Sequence, residues 1–380
     1  MLPFLVALAA AAAPLAERPS PLPPYVAAYQ PTGVDERGAW MMADESERHL
    51  RDAPEVIRDP ALNAYVRGVL CRTVGEDRCK AVRLYILHIP AFNATMTANG
   101  TMTIWSGALL RLRDEAELGA VLGHEFGHFE LRHTLAGFRN RRSGSDVMTW
   151  ASVLIANSTA LQVDILGGLY RFDREQERAA DMIGARYLAA SAYPSSSAAD
   201  VWDRMMGEAD ATAIGRRRKA DQRYTAGFFA SHPTSLARAT YLRSFADAVG
   251  DGGSGEGERY RAALAPWLPT FLADQMKLND FGGSEYLLGQ LAATGWSTPL
   301  LFARGELYRE RGNPRDLTSA AGFYQAAIAR GDAPPEAHRG LGLALLRGQQ
   351  VDAGRTALRD YLRRKPDAGD AALISTLAAP

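Results

Sequence analysis

The stretch LGAVLGHEFGHFELRH, Leu118 to His133, holds three of the seven histidines in the chain. His124 and His128 are four residues apart, so on a helix they project from one face, one turn apart. Two imidazoles placed this way can ligate one metal ion. Glu125, beside the first, can reach a water held at an open coordination position. This is the HExxH pattern of zinc sites. His133 falls one residue short of the spacing at which a third histidine ligates in the metzincin pattern. It is read as packing or hydrogen bonding and kept out of the metal set.

A zinc site of this kind needs a third protein ligand, and the segment FDREQERAADMIG offers one. Glu177 and Asp181 stand four apart on one face of a predicted helix. Glu177 would complete a His2Glu set, leaving the fourth position for water. Asp181 would then accept a hydrogen bond from a ligand imidazole and fix its tautomer. By itself the segment fits a solvated, charged helix face equally well. Beside an HExxH helix, the ligand reading is the stronger one.

Several elements must position these residues. Asp114 followed by Glu117 is a capping-box pattern and predicts a helix start. Gly119, Gly123 and Gly127 put a ridge of bare backbone on another face of that helix, at about 1 kcal/mol each relative to alanine. Such a ridge makes sense where a second helix approaches closely. Upstream, DPALNAYVRGVL places Leu62, Tyr65, Val66 and Val69 on one helical face. AVRLYILHI reads as a strand, and Asn99-Gly100 between two Thr- and Met-rich runs signals a hairpin. The run Thr101 to Ser106 alternates and is expected to pair with an extended substrate as an added strand.

The wider composition bounds the rest. Among 380 residues, 43 lysines and arginines balance 43 aspartates and glutamates, which argues against a nucleic-acid partner. A length of 380 residues suggests two or three domains. Residues 1–16, a short apolar run ending in small residues, read as a secretory signal peptide and imply export to an oxidising compartment. There Cys71 and Cys79, eight apart with Gly75 between, could close a disulfide loop or stay a free pair. Residues 17–43, opening on ERPSPLPPY, read as an extended lead-in. The uncharged stretch 147–163 contains Asn157, Ser158, Thr159 and Gln162, which favours a buried or membrane-touching helix over a span. Residues 249–258, VGDGGSGEGE with the residues flanking it, read as a flexible linker. Residues 259–380 read as wholly helical. Gly305 and Gly340 lie 35 residues apart, close to the tetratricopeptide (TPR) period, which predicts a short TPR-like solenoid.

With these residues in view, the chain resembles the HtpX-like zinc metallopeptidases, a gluzincin family. The resemblance runs from roughly Asp59 to Arg238 and rests on RDPALNAYV, FNA followed by TIWSGALL, ELGAVLGHEFGHFELRH, REQERAADMIG and SHPTSLAR in that order. It implies that His124, His128 and Glu177 ligate one zinc ion, that Glu125 is the catalytic base, and that Asp181 supports the ligands. It also implies an active-site role for His232 in SHP, and for Arg238 and Asn93 as candidate substrate or active-site contacts. The sequence departs from the family's usual pattern at Thr95, at Asn99-Gly100, and at Asp173, where serine is usual.

The fold class expected is α+β and mainly helical. A zincin-type metalloprotease domain with a small sheet over 44–248 would be followed by the all-α TPR-like solenoid. The leading function is a periplasmic zinc endopeptidase acting on unfolded or misassembled envelope proteins, with the solenoid docking protein partners and some association with a membrane surface. The alternative is a chaperone or adaptor with a restrained or idle metal site, binding clients through the TPR-like domain. His232 would either replace the metal-bound water and restrain the enzyme, or stabilise the developing oxyanion.

Overall fold

A computed structural model describes residues 22–142, 172–220 and 236–379. The expected signal peptide, the 147–163 stretch and His232 lie outside these residues. Among the described residues no helix is long and apolar enough to cross a membrane.

The first helix among the described residues is α1 (Gly33–Asp52), so the part of the expected extended lead-in (17–43) from Gly33 onward is helical. The prolines that suggested extension stop at Pro31, and the proline-free run after them is free to be helical. Helix α2 (Pro60–Val74) starts where Asp59 accepts a hydrogen bond from the Leu62 amide at 2.7 Å, with Pro60 at the first helical position. It buries Leu62, Val66 and Val69 as the spacing predicts. A short turn, α3 (Glu76–Cys79), follows, and Cys71 and Cys79 are joined in a disulfide.

Three strands form the sheet: β1 (Arg83–Leu87), β2 (Ala94–Met96) and β3 (Thr101–Trp105), in the order β1-β3-β2. β2 and β3 make the expected antiparallel hairpin, with Thr95 opposite Thr103 and their hydroxyls 2.8 Å apart. β1 runs parallel to β3, with Tyr85 opposite Thr103. The buried Glu47 of α1 ties the sheet to its helix. It takes hydrogen bonds from Arg83 Nε at 2.7 Å, and from the Tyr85 and Thr101 hydroxyls at 2.9 Å each. Because β3 is the central strand, both its edges are already paired and it cannot receive a substrate strand as expected. Alternation in sequence does not distinguish a central strand from an edge strand. The edge next to the HExxH segment belongs to β2.

β3 leads into α4 (Ser106–Arg111) and then α5 (Glu115–Glu130), the HExxH helix, which α6 (His133–Arg142) follows. α5 buries fifteen of its sixteen residues. Asp114 caps it, accepting from the Glu117 amide at 2.8 Å, while the Glu117 carboxylate reaches back to the Arg113 amide at 2.8 Å. The glycine ridge finds its partner in the acidic helix Arg174–Ala190. A Cβ at Gly127 would stand 2.9 Å from Ala180 O, and one at Gly184 would stand 2.9 Å from His124 N. Asp173, in place of the usual serine, caps this acidic helix through the Glu175 and Gln176 amides.

The glycine-rich segment after Val249 is a docked strap, not a flexible linker. Its Gly255 carbonyl accepts the Glu115 amide at 2.8 Å and the Ala116 amide at 3.3 Å, capping α5 a second time. A Cβ at Gly253 would collide with Ala192 O, and one at Gly255 with the Asp114 carboxylate. Glycine here serves close approach, a use that composition does not separate from flexibility. The helices that follow, Gly257–Leu264, Leu268–Lys277 and Phe281–Leu291, pack into the main core through Tyr260, Leu264, Phe271 and Leu288. Antiparallel pairs come next: Thr298–Arg311 with Pro314–Ala329, and Pro335–Arg347 with Val351–Arg364, closed by Ala371–Ala378.

Replacing Gly184 by valine drives two methyl groups toward the backbone at His124. We expect a loss of about 2 kcal/mol or more of stability, read by urea denaturation, and weakened metal retention in whatever fraction folds. Unchanged stability would show that the two helices are not in contact at this point.

Candidate metal centre

The HExxH helix and the acidic helix meet at a buried cluster. His124 Nε2 and His128 Nε2 are 3.1 Å apart, and each stands 3.6 Å from a Glu177 carboxylate oxygen. These three side chains are a possible metal site, with ligand atoms within 4.8 Å of one another. Zinc bonds of about 2.0–2.1 Å in a tetrahedron put ligand atoms roughly 3.3–3.4 Å apart. The observed separations bracket that value, and two imidazoles with one carboxylate are a zinc donor set.

Around the cluster, each ring has a partner that fixes it. His124 Nδ1 is 2.8 Å from Asp181 Oδ1, where the sequence places the orienting carboxylate. His128 Nδ1 is 2.9 Å from His133 Nδ1, so His133 hydrogen-bonds to a cluster histidine and lies outside the metal set, as read. Burial pushes the His133 imidazole down to about 4, so it is neutral at neutral pH and one ring nitrogen can accept. Phe172 stacks on the His128 ring with centroids 3.9 Å apart.

Arg238, expected only as a candidate contact, is buried against both carboxylates. Its Nη1 is 2.7 Å from Glu177 Oε2, and its Nη2 and Nε reach the two Asp181 oxygens at 2.6 and 2.8 Å. Tyr241, one helical turn on, donates its hydroxyl to Asp181. Burial alone would raise the Asp181 carboxyl, but the Arg238 charge and then His124 outweigh it and hold it well below the usual carboxylate range. Trp202 covers Arg238, whose guanidinium carbon is 4.1 Å from the ring centroid, and presents an edge to His124. Neither Trp202 nor Tyr241 was legible as part of the site. Only the position of Tyr241, three after Arg238 on one helix face, could have hinted at it.

Glu125 and Asn93 meet at the open side of the cluster. They share a small pocket with His124 and a mostly apolar wall that includes Phe92, Val121, Val201 and Trp202. Ala94, at the start of β2, also lines this pocket.

The opposite end of α5 carries a second buried charge. Glu115 takes Arg72 Nη2 at 2.9 Å, the Tyr193 hydroxyl at 2.5 Å and Arg259 Nη2 at 2.9 Å. Arg259 lies beyond the strap, so this carboxylate joins the HExxH helix to the C-terminal helices.

A buried HExxH helix facing a glutamate on a second helix defines a metallopeptidase domain. Residues 77–246 match peptidase family M48. It is similar to the mitochondrial metalloendopeptidase OMA1 of Schizosaccharomyces pombe, 29% identical over 178 residues, which are 46% of this chain and 50% of that protein. It is also similar to the beta-barrel assembly-enhancing protease of Escherichia coli K12, 27% identical over 184 residues, 44% of this chain and 37% of that protein. The putative beta-barrel assembly-enhancing protease of Vibrio cholerae is 26% identical over 179 residues, 43% of this chain and 37% of its own length. The chain thus spans between about a third and a half of the length of these relatives.

Burial pushes the Glu115 carboxyl up, but the hydroxyls of Tyr193 and Tyr65 and the charges of Arg72 and Arg259 outweigh it and leave it lowered from 4.5. Its stabilisation is therefore present above pH 4.5 and is lost as pH falls through the lower folded value. Glu115→Gln should cost about 2 kcal/mol at neutral pH and converge with the wild type in acid. Melting curves from pH 3 to 8 test this; a constant difference across that range would refute it.

Proposed function

We propose that this chain is an exported zinc-dependent endopeptidase that hydrolyses peptide bonds in unfolded or misassembled envelope proteins. The observation that carries the reading is the buried cluster of His124, His128 and Glu177 with Glu125 at its open side. A zinc ion held by the three ligands would polarise the scissile carbonyl and lower the pKa of a bound water to about 7. Glu125 accepts the proton of the attacking water and passes it to the leaving amine nitrogen. His124 is oriented by Asp181, and His128 by His133. Arg238 pairs with both buried carboxylates and holds Glu177 in place.

The substrate lies extended along the outer edge of β2, using its unpaired backbone groups, with Asn93 at the turn toward Glu125. A peptide must be locally unfolded to add such a strand, which fits clients that have lost their structure. The C-terminal helix pairs form a TPR-like solenoid that docks protein partners. Gly305 and Gly340, at equivalent places in successive pairs, both seat against the Tyr324 ring. The apolar N-terminal run supports a periplasmic location, with association at a membrane surface left to the stretch 147–163.

Degradation of reduced casein by the wild type and by Glu125→Gln, with zinc measured on both, tests the reading. We expect one zinc per chain in each and a loss of at least roughly a thousandfold in cleavage for the variant. If both bind zinc and neither cleaves, the adaptor reading replaces the peptidase. Asp181→Asn should weaken zinc about 10–100-fold, measured by competition with a chelating dye.

A further inference from the structure

The helices after the strap do not close completely on the metallopeptidase domain. Between α4 and these helices lies a cavity of about 270 Å³, against the roughly 150 Å³ that suffices to take up benzene in an apolar core. Its wall is made by Leu109 and Leu112 on one side and Leu264, Phe271, Leu291 and Leu300 on the other. Native interiors leave few voids larger than a water molecule, and most of this wall is apolar, with Thr294, Ser297 and two arginines as its polar members. A space of this size and chemistry suits an alkyl chain of about eight to twelve carbons.

One part of the wall is charged. Arg113 lines the cavity and donates Nη2 to Gln290 Oε1 at 2.9 Å. Its Nε is buried and has no hydrogen-bond partner among the described residues. The neighbouring carboxylates are engaged elsewhere: Asp114 caps α5, and Glu117 pairs with Arg204. Burial, and then the Arg204 charge, hold the Arg113 guanidinium below its usual range against the opposing pull of Glu117 and Asp114. Arg261, exposed at the rim, adds a second positive charge.

We propose that this cavity binds a single-chain anionic amphiphile, with the alkyl tail among the leucines and the head group on Arg113. A half-buried guanidinium beside a mostly apolar space is the complement of that ligand class. A neutral alkyl chain would leave Arg113 unsatisfied, and a free inorganic anion would leave the leucine wall empty. The site is separate from the metal cluster and does not rest on the proposed peptidase chemistry.

The test is calorimetric titration of the full chain with sodium dodecanoate below its micelle concentration, and with 1-dodecanol as the neutral control. Dodecanoate should bind saturably, one per chain. Arg113→Gln should weaken it by roughly tenfold, the worth of a charge-assisted hydrogen bond, and leave dodecanol within about twofold. Arg113→Lys, which keeps the charge, should recover most of the affinity. Ala265→Trp, at the exposed rim of the cavity, should abolish binding of both ligands without lowering the melting temperature. Absence of saturable dodecanoate binding overturns the proposal, as does binding that survives Ala265→Trp. Dodecanol binding as tightly as dodecanoate, with Arg113→Gln indifferent, also overturns it and points to an apolar side chain of a partner protein.

Discussion

The contact between the HExxH helix and the acidic helix sets the geometry of everything around it. Two of the candidate ligands come from one helix and the third from the other, so the distance between two backbones fixes the size of the cluster. That distance is short because no side chains intervene. The Gly184 Cα faces the backbone at His124, and Gly127 faces Ala180. Glycine lowers helix propensity at each of these places by about 1 kcal/mol, and burial of α5 on nearly every side offsets that cost. With bulkier residues at the crossing, the helices would separate by ångströms and Glu177 would leave the reach of a metal bond.

Close approach also brings charge into the interior. Glu177 and Asp181 lie four apart on the same helix, both buried, and two uncompensated carboxylates there would be costly. Arg238 answers both at once, and its planar fork suits the task better than a lysine would. Trp202 covers the guanidinium on its remaining face. The same device recurs at the other end of α5, where Glu115 gathers Arg72, Arg259 and a tyrosine hydroxyl. The HExxH helix is therefore held by a polar network at each end and by apolar packing between.

How much of this could be read in the sequence follows from how local each signal is. The cluster His124, His128 and Glu177 was legible because ligand spacing on a helix is a one-turn property. The hairpin at Asn99-Gly100 and the cap at Asp114 were legible for the same reason. The position of β3 in the centre of the sheet was not, because strand order depends on β1 pairing with β3 and not with β2, its neighbour in sequence. Arg238 and Trp202 meet only through the fold, so nothing nearby in sequence marks their partnership. Glycines 253 and 255 were misread as flexibility because glycine serves both mobile chain and tight contact. Only the neighbours Ala192 and Asp114 decide between the two.

The strap changes where the chain can be divided. Its composition suggests a boundary at Glu258, but Tyr260, Leu264, Phe271, Leu272, Leu288, Leu300 and Leu307 all belong to the core that surrounds α5. Tyr260 donates its hydroxyl to the Leu109 carbonyl at 2.6 Å, inside the metallopeptidase domain. A cut after Gly257 would strip this surface and remove Arg259 from Glu115. Any loss of cleavage would then report a damaged core, not a missing docking domain. Beyond Arg311 the pattern changes. Ala320, Tyr324, Ala337 and Ala344 form one separate cluster, and Leu358, Tyr361 and Ile374 another. The Thr298–Arg311 helix serves both sides: Leu300 and Leu307 enter the core around α5, while Phe302 and Tyr308 pack on the Tyr324 cluster. Packing therefore changes over along this helix, and the helices after it have apolar centres that do not reach α5.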